Sequence, residues 1–279
     1  MKPLAALGAD EARALVGLAF DLDDTVLDGG ALGEAAYGAM FRMREAGLEL
    51  VACTGRPAGW GEVVQRQWPV AATVTENGAV AFSREGGRVR RLDALAPGER
   101  RLRRARLLEL ASELGARHGA ALADDNAARS SDVTLDIGEH ATVAPAAIAA
   151  MVAEARARGV RTTVSSVHLH LTLDGDDKAS GLLRVLGELR GEDATRARRR
   201  WAFAGDSGND AAASRLRHHL RGGQRRPAPR SPHRAAALAG AAARRRGLRG
   251  DRRASGGVAS SHAARTSVNG ASTTPPGPP

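Results

Sequence analysis

Up to residue 213, the chain alternates between short apolar runs and longer segments in which apolar residues recur every three or four positions. The short runs predict buried strands, and the longer segments predict amphipathic helices. We expect strands at about residues 14–20 and 48–53, with a helix at about 32–45 between them. Strand–helix–strand order with short connections predicts an α/β fold in which helices cover a parallel sheet.

The stretch AATVTENGAVAF predicts a strand, a turn at Asn77-Gly78 and a second strand, and VRRLDA is a candidate hairpin partner. A mixed α/β block of roughly ninety residues follows, a length typical of a small domain. In this block we expect helices at about 97–114 and 144–158, and strands at DVTLDI, VRTTVSS and VHLHLTL. We interpret the arginines of RRLRRAR, in the first of these helices, as a solvated helix face.

A helix at about 178–189 and the stretch RRWAFAGDSGND then restore the pattern of the first part. A parallel-sheet core interrupted by an inserted domain explains this return. We therefore predict a core in two parts (1–82 and 176–213), an inserted α/β domain (83–175) and a C-terminal tail (214–279).

The formal net charge of +10 belongs to the tail. Residues 214–279 hold 14 arginines and one aspartate, so residues 1–213 carry a net charge of −3. The tail also lacks Ile, Phe, Trp, Tyr and Met, and such a composition buries too little apolar surface to offset the entropy of ordering. We therefore expect the tail to be disordered.

Two explanations of the tail stay open. A basic tail can bind nucleic acid, but this one lacks the aromatic residues on which bases stack, so we do not expect a nucleic-acid partner. A reading-frame slip near Ala212 explains better why the strand–helix pattern stops so abruptly.

Several classes of protein are disfavoured by the rest of the sequence. The chain contains no apolar run of eighteen residues, so no membrane span is predicted. Its single cysteine, Cys53, excludes an internal disulfide and a cysteine-rich metal site, and we interpret it as a core residue. Asp10 and Glu11 lie where a signal peptide would be apolar, and we expect a cytoplasmic protein.

Polar side chains follow three of the predicted strands, and because ligands gather at the carboxyl ends of parallel strands, we expect these side chains to converge. GDDKASG adds Lys178 at a predicted helix start, one of only two lysines against 39 arginines. The polar residues are Asp21, Asp23, Asp24 and Thr25 after the first strand, Thr54, Gly55 and Arg56 after the second, and Asp206, Ser207, Asn209 and Asp210 after the last.

The three carboxylates of the first turn repel one another unless a cation neutralises them. Carboxylate and carbonyl oxygens suit Mg²⁺, which also shares oxygens of a substrate phosphate. A carboxylate can attack phosphorus to form an aspartyl-phosphate. Phosphoryl transfer depends mainly on positioning and on neutralising the phosphoryl oxygens, and these residues supply both.

The motifs DLDDT, TGR, a downstream lysine and GDSGND, in this order after successive strands, resemble the four motifs of the haloacid dehalogenase superfamily of phosphatases. TENGAVAF and an insertion between the second and third motifs resemble its Cof-type, sugar-phosphatase branch. The resemblance extends from about Val16 to Ala213. It implies a Rossmann-like core with an inserted α/β cap, and a Mg²⁺-dependent phosphomonoesterase acting on a phosphorylated sugar or similar small metabolite.

The resemblance also implies a role for each motif residue. Asp21 attacks phosphorus, while Asp23 protonates the leaving oxygen and later activates water. Lys178 neutralises the nucleophile and the phosphoryl oxygens. The implied metal ligands are Asp21, Asp23, Asp206 and Asp210, the implied phosphate-binding residues are Thr54, Gly55 and Arg56, and Thr25 and Asn209 support the site.

Other interpretations stay open. A phosphosugar mutase would use the same aspartate and return the phosphoryl group to its substrate. Thr54 is also a candidate helix cap. His168 and His170 share one face of a predicted strand, and a satisfied polar face explains them better than contact with a substrate.

Overall fold

A computed structural model describes residues 2–3, 6–205 and 218–221 of the chain. Within these ranges, eight strands form the main sheet. They are β1 Lys2–Pro3, β2 Gly17–Phe20, β5 Glu49–Cys53, β6 Ala72–Thr75, β7 Val80–Glu85, β8 Arg88–Asp93, β13 Trp201–Ala204 and β14 His218–Arg221.

The strand order of the main sheet is β1-β14-β13-β2-β5-β6-β7-β8. Neighbours from β1 to β6 pair in parallel, whereas β6, β7 and β8 pair antiparallel. The predicted α/β fold with a parallel-sheet core is therefore confirmed, and it carries an antiparallel edge.

Helices cover both faces of the main sheet, and the strands alternate between two apolar clusters. Ala19 of β2 joins a cluster that includes Trp201 and Leu182, whereas the next residue, Phe20, joins a cluster that includes Met40. Strands buried on both faces read as continuous apolar runs, as these do. The helices of this part are α1 Ala9–Arg13, α2 Glu34–Glu45, α3 Ala58–Gln67, α6 Lys178–Arg190 and α7 Ala194–Arg200.

A second, antiparallel sheet lies in the inserted part of the chain. Its strands, in the order β11-β12-β10-β9, are β9 Ala121–Leu122, β10 Val133–Asp136, β11 Arg161–Val164 and β12 His168–Thr172. Two helices, α4 Pro97–His118 and α5 Pro145–Ala157, cover one face, where Leu135 and Leu169 are fully buried. The opposite face is polar, and Thr134 pairs there with His170.

The predicted start of the inserted domain, residue 83, needs correction. Strand β8 bonds to β7 along its whole length, so residues up to Asp93 belong to the main sheet. Gly86 and Gly87, both with positive φ, form the two-residue turn that joins these strands. The division into domains otherwise stays a prediction.

Two further expectations were wrong in part. His218–Arg221, in the tail that we expected to be disordered, forms β14 beside β13, and its Leu220 is buried; the rest of the tail lies outside the described residues. Arg100, which we assigned to a solvated face, is buried and bonds Asp93 and Asp174, tying together the two connections between the sheets.

The sequence patterns did not predict α1, α7, β9 or the small hairpin of β3 Leu27–Asp28 and β4 Ala31–Leu32. These elements are short, and their periodicity is weak. Among the described residues, no helix combines the length and apolar character that crossing a bilayer requires.

The packing of Trp201 on β2 gives a test of this core. A Cβ atom added to Gly17 would lie 2.4 Å from the Trp201 ring, which is buried. We predict that Gly17→Ala lowers the free energy of unfolding by about 1–3 kcal/mol through overpacking, measured by urea denaturation.

The matched control is Gly98→Ala in α4, where an added Cβ meets no heavy atom within 4 Å. This change should be neutral or stabilise by up to about 1 kcal/mol. A Gly17→Ala variant as stable as Gly98→Ala would contradict the packing described here.

Candidate active site

Parallel pairing brings the polar residues after β2 and β5 to one edge of the main sheet. Asp21 follows β2 directly, and Thr54 follows β5, its neighbour. On the other side of β2, the Asp21 N–H donates to the Ala204 carbonyl at the end of β13 (2.9 Å). Asp206, Ser207, Asn209 and Asp210 come next along the chain and lie outside the described residues.

A buried ion pair occupies this edge. The Lys178 ammonium lies 2.9 Å from Asp21 Oδ1, and both side chains are almost completely buried. The Leu22 N–H also donates to Asp21 Oδ1 (2.8 Å). Two of the residues predicted to act together are therefore in contact.

The start of α6 fixes the position of Lys178. Asp177 caps the helix by accepting the Ser180 N–H (2.7 Å), and Ser180 Oγ accepts the Asp177 N–H in return (2.9 Å). Farther along the helix, a Cβ added to Gly181 would lie 2.5 Å from Gly78 Cα. The close approach of two glycines therefore lets the helix lie against the turn that follows β6.

The loop after β5 is stabilised by its own hydrogen bonds. Thr54 is buried, and its Oγ1 accepts the Arg56 N–H (3.0 Å). The Arg56 guanidinium donates to both carboxylate oxygens of Asp23 (2.6–3.1 Å) and stacks on the Trp60 ring, 4.2 Å from its centroid. Asp23 is about half exposed.

The other residues of the acidic turn define its shape. Asp24 adopts a left-handed backbone conformation (φ 56°), which aspartate tolerates better than most residues. The Leu22 carbonyl accepts N–H groups from Thr25, Val26 and Leu27. The turn thus holds Asp21 and Asp23 at the end of β2.

No role was predicted for Glu76, which directly precedes the predicted turn in the stretch TENGAVAF. Its buried carboxylate accepts five hydrogen bonds: from the N–H groups of Ala58, Ser130, Ser131 and Asp132 and from the Ser131 hydroxyl. Burial and the nearby charge of Asp132 raise the pKa of Glu76, while the bonds from Ser131 and Ala58 oppose this rise. Glu76 therefore joins the start of α3 to the inserted segment.

Arg129 is a second residue that sequence analysis missed. Its guanidinium is buried and donates to Asp125, to Asp132 and to the Gly55 carbonyl. Burial opposes ionisation of Asp132, but the hydrogen bond with His170 and the charge of Arg129 hold the pKa of Asp132 below its usual range. No local pattern marks such a residue, because its partners come from distant parts of the chain.

The two histidines of β12 have polar partners, as the interpretation of a satisfied strand face expected. His170 Nδ1 lies 2.9 Å from Asp132 Oδ2, and His168 Nε2 lies 2.8 Å from Glu139 Oε2. Cys53 is buried in the core, also as expected.

A cavity of about 70 Å³ separates the polar face of the second sheet from the turn after β6. Asn77 lines this cavity, and its side-chain amide also lies beside the loop after β5. A Cβ added to Gly55 in that loop would lie 3.1 Å from Asn77 Oδ1. The Asn77 side chain therefore lies between the cavity and the loop that holds Thr54. Its lining includes Asn77, His170, Thr162, Thr163, Thr172 and Asp176.

Asp124, Glu139 and His140 form another cluster of possible metal ligands, in the inserted segment. All three are exposed, and exposed acidic groups commonly gather without an ion, so we assign no metal there.

Part of this chain matches a known protein family. Residues 18–99 match the model of a family described as haloacid dehalogenase-like hydrolase. The region is haloacid dehalogenase-like. The match confirms the predicted resemblance over the part of the chain that holds the motifs DLDDT and TGR, and the family is one of hydrolases. The comparison with curated proteins found no match.

Several solved structures resemble this chain over about three quarters of its length. A Thermoplasma acidophilum protein is 18% identical, with a TM-score of 0.60, covering 75% of this chain and 84% of its own. The Synechocystis sucrose-phosphatase, solved with sucrose and phosphate, is 16% identical, with a TM-score of 0.50 and coverages of 74% and 82%. A sugar phosphatase of subclass IIB is 15% identical, with a TM-score of 0.52 and coverages of 74% and 86%. At these identities the likeness establishes the fold.

The glycine contact below Lys178 gives a test of the site. We predict that Gly181→Ala displaces the start of α6 and lowers the free energy of unfolding by about 1–3 kcal/mol, because its Cβ would overlap Gly78. Urea denaturation measures this change.

Gly187→Ala, on the same helix, is the control, because its Cβ would make only an ordinary contact of 3.7 Å. It should be neutral or slightly stabilising. Equal stability of the two variants would argue against the close approach of α6 to the turn.

Proposed function

We propose that the protein is a Mg²⁺-dependent phosphomonoesterase that acts on a phosphorylated sugar or similar small metabolite through an aspartyl-phosphate. The observation that carries this proposal is the buried Lys178–Asp21 ion pair at the carboxyl end of β2, beside Thr54. A buried carboxylate that is paired with a cation stays ionised, as a nucleophile must.

In the first step, an Asp21 oxygen bonds to phosphorus as the bond from phosphorus to the leaving oxygen breaks. The leaving oxygen takes a proton from Asp23. Lys178 and the Thr54 hydroxyl stabilise the negative charge on the phosphoryl oxygens. Phosphoryl transfer depends mainly on this stabilisation and on positioning. In the second step, water attacks phosphorus, Asp23 takes its proton, and the Asp21 carboxylate and inorganic phosphate are released.

The contact of Asp23 with Arg56 adds a step to this scheme. Both carboxylate oxygens of Asp23 accept hydrogen bonds from Arg56, so the side chain must turn away from Arg56 to reach the leaving oxygen. The Asp23 side chain is about half exposed, and ion pairs of this kind contribute roughly 0–1 kcal/mol, so the movement costs little.

The donors at this edge suit Mg²⁺ because they are oxygens. The Asp21 carboxylate and the Asp23 carbonyl would hold the ion together with Asp206, and Asp210 would support it. When bound, the ion neutralises charge on the phosphoryl oxygens. Thr25 and Asn209 are assigned supporting roles.

The lining of the cavity supports a small hydroxyl-bearing substrate. The hydroxyls of Thr162, Thr163 and Thr172 and the carboxylate of Asp176 offer hydrogen-bond partners for an alcohol or a sugar. Asn77 lines the cavity and also lies beside Gly55, so this side chain connects the cavity with the loop of Thr54. Two of the structurally similar proteins, the sucrose-phosphatase and the subclass IIB sugar phosphatase, act on substrates of this class.

We predict that Asp21→Asn abolishes Mg²⁺-dependent phosphate release, with a loss of at least about a thousandfold in kcat, because the amide cannot attack phosphorus. Phosphate release is measured across a panel of sugar phosphates and p-nitrophenyl phosphate.

Asp24→Asn is the matched control, since it makes the same change three residues away, at an exposed position whose left-handed backbone suits asparagine. It should keep activity. An isomerised sugar phosphate without net phosphate release would instead identify a mutase. No turnover of any substrate by the wild-type chain would contradict the proposed function.

A further inference from the structure

We propose that Arg129 of the inserted segment is a positioning residue for the phosphate-binding loop: it holds the Gly55 carbonyl and thereby orients the loop at residues 54–56. The importance of this loop rests on the proposed function. The contact itself, and its effect on the loop, can be measured without any substrate.

The Arg129 guanidinium is nearly inaccessible, at 2% side-chain exposure, and it uses its donors on three partners. It donates to both carboxylate oxygens of Asp125 (2.9 and 2.6 Å) and of Asp132 (both 3.1 Å), and to the Gly55 carbonyl (3.2 Å). The planar guanidinium of arginine, with its five N–H donors, can donate to acceptors in this arrangement. A lysine at this position would keep the charge but could not make all of these bonds.

The contact with Gly55 acts on the neighbouring amide. The Gly55 carbonyl and the Arg56 N–H belong to one planar peptide unit, so a contact that fixes the carbonyl also fixes the direction of the N–H. That N–H donates to Thr54 Oγ1 (3.0 Å). Through this amide, Arg129 orients the Thr54 hydroxyl, which we assign to the phosphoryl oxygens.

Glu76 holds Arg129 in place relative to the core. Its carboxylate accepts the N–H groups of Ser130 and Ser131, which directly follow Arg129, and that of Ala58 at the start of α3. The Glu76 N–H also donates to the Arg56 carbonyl (3.1 Å). Glu76 therefore bonds to the loop through its N–H and to the inserted segment through its carboxylate.

The same network reaches the cavity. Asp132, which pairs with Arg129, also lies 2.9 Å from His170, and both residues line the cavity. A continuous chain of His170, Asp132 and Arg129 therefore connects the polar face of the second sheet to the Gly55 carbonyl. The bond to the Gly55 carbonyl is the contribution of the inserted segment to the shape of the loop.

The test compares Arg129→Lys with Arg104→Lys. Arg104 donates to the carbonyls of Asn126 and Asp132 within the inserted segment, so its replacement perturbs that segment without touching the described loop contacts. The first readout is hydrogen exchange of the amides of Thr54, Gly55, Arg56 and Ala58, since Pro57 has no N–H. We expect at least about tenfold faster exchange in Arg129→Lys and unchanged exchange in Arg104→Lys.

The second readout is kinetic. In Arg129→Lys we expect kcat for p-nitrophenyl phosphate to fall by about a hundredfold, with KM changed far less and inhibition by inorganic phosphate weakened, as for a misplaced reactive group. A purely structural role would lower stability in both variants and leave kcat of the folded protein intact. Wild-type exchange at residues 54–58 in Arg129→Lys would overturn the proposal.

Asp125→Asn keeps the proposal testable if Arg129→Lys does not fold, because it leaves Arg129 in place and weakens one of its ion pairs. We expect faster exchange at residues 54–58 in this variant as well, and unchanged exchange would overturn the proposal. If the wild-type chain releases no phosphate from any substrate, the proposed function fails while the exchange result still decides the role of Arg129.

Discussion

The ion pair of Lys178 with Asp21 is the constraint around which the main sheet is arranged. Two opposite charges are buried where the helix α6 meets the end of β2, and each is a direct partner of the other. The surrounding structure holds the pair together. The capping bonds of Asp177 and Ser180 fix the first turn of α6, and the contact of Gly181 with Gly78 brings that turn close to the sheet.

The inserted segment belongs to the same arrangement. Its second sheet presents polar residues toward the turn after β6, while its apolar face is covered by α4 and α5. Glu76 and Arg129 connect this segment to the loop after β5 through buried, charged hydrogen bonds, which are stronger than neutral ones. The loop at residues 54–56 and Asp21 are thus each held by contacts of their own.

Much of this arrangement follows from local sequence. The alternation of apolar runs and amphipathic segments predicted β2, α2, β5 and α6, and the parallel sheet followed from their order. Asp21 and Lys178 were predicted to converge. Asp21 follows a strand of the parallel sheet, Lys178 begins a helix, and ligand-binding residues gather where parallel strands end. The stretch VRRLDA was predicted as a hairpin partner and forms β8 beside β7, but the predicted boundary at residue 83 placed it in the inserted domain rather than in the main sheet.

The long-range contacts could not be predicted in this way. Glu76 directly precedes a predicted turn, and Arg129 is one of 39 arginines, with partners that come together only in the folded chain. Arg56 was predicted to bind phosphate, yet the described contacts of its guanidinium are with Asp23 and Trp60. The choice between two acceptors for one flexible side chain depends on tertiary geometry, which local pattern does not contain.

The covalent step at Asp21 can be observed directly. Mixing the Asp23→Asn variant with Mg²⁺ and p-nitrophenyl phosphate, whose leaving group needs no proton, should accumulate the aspartyl-phosphate, because water is no longer activated. Quenching with acid, reducing with borohydride and sequencing the peptides by mass spectrometry would locate it. Homoserine at position 21 is the predicted result. Phosphorylation at any other residue, or release of nitrophenol with no modified peptide, would contradict the assignment of Asp21 as the nucleophile.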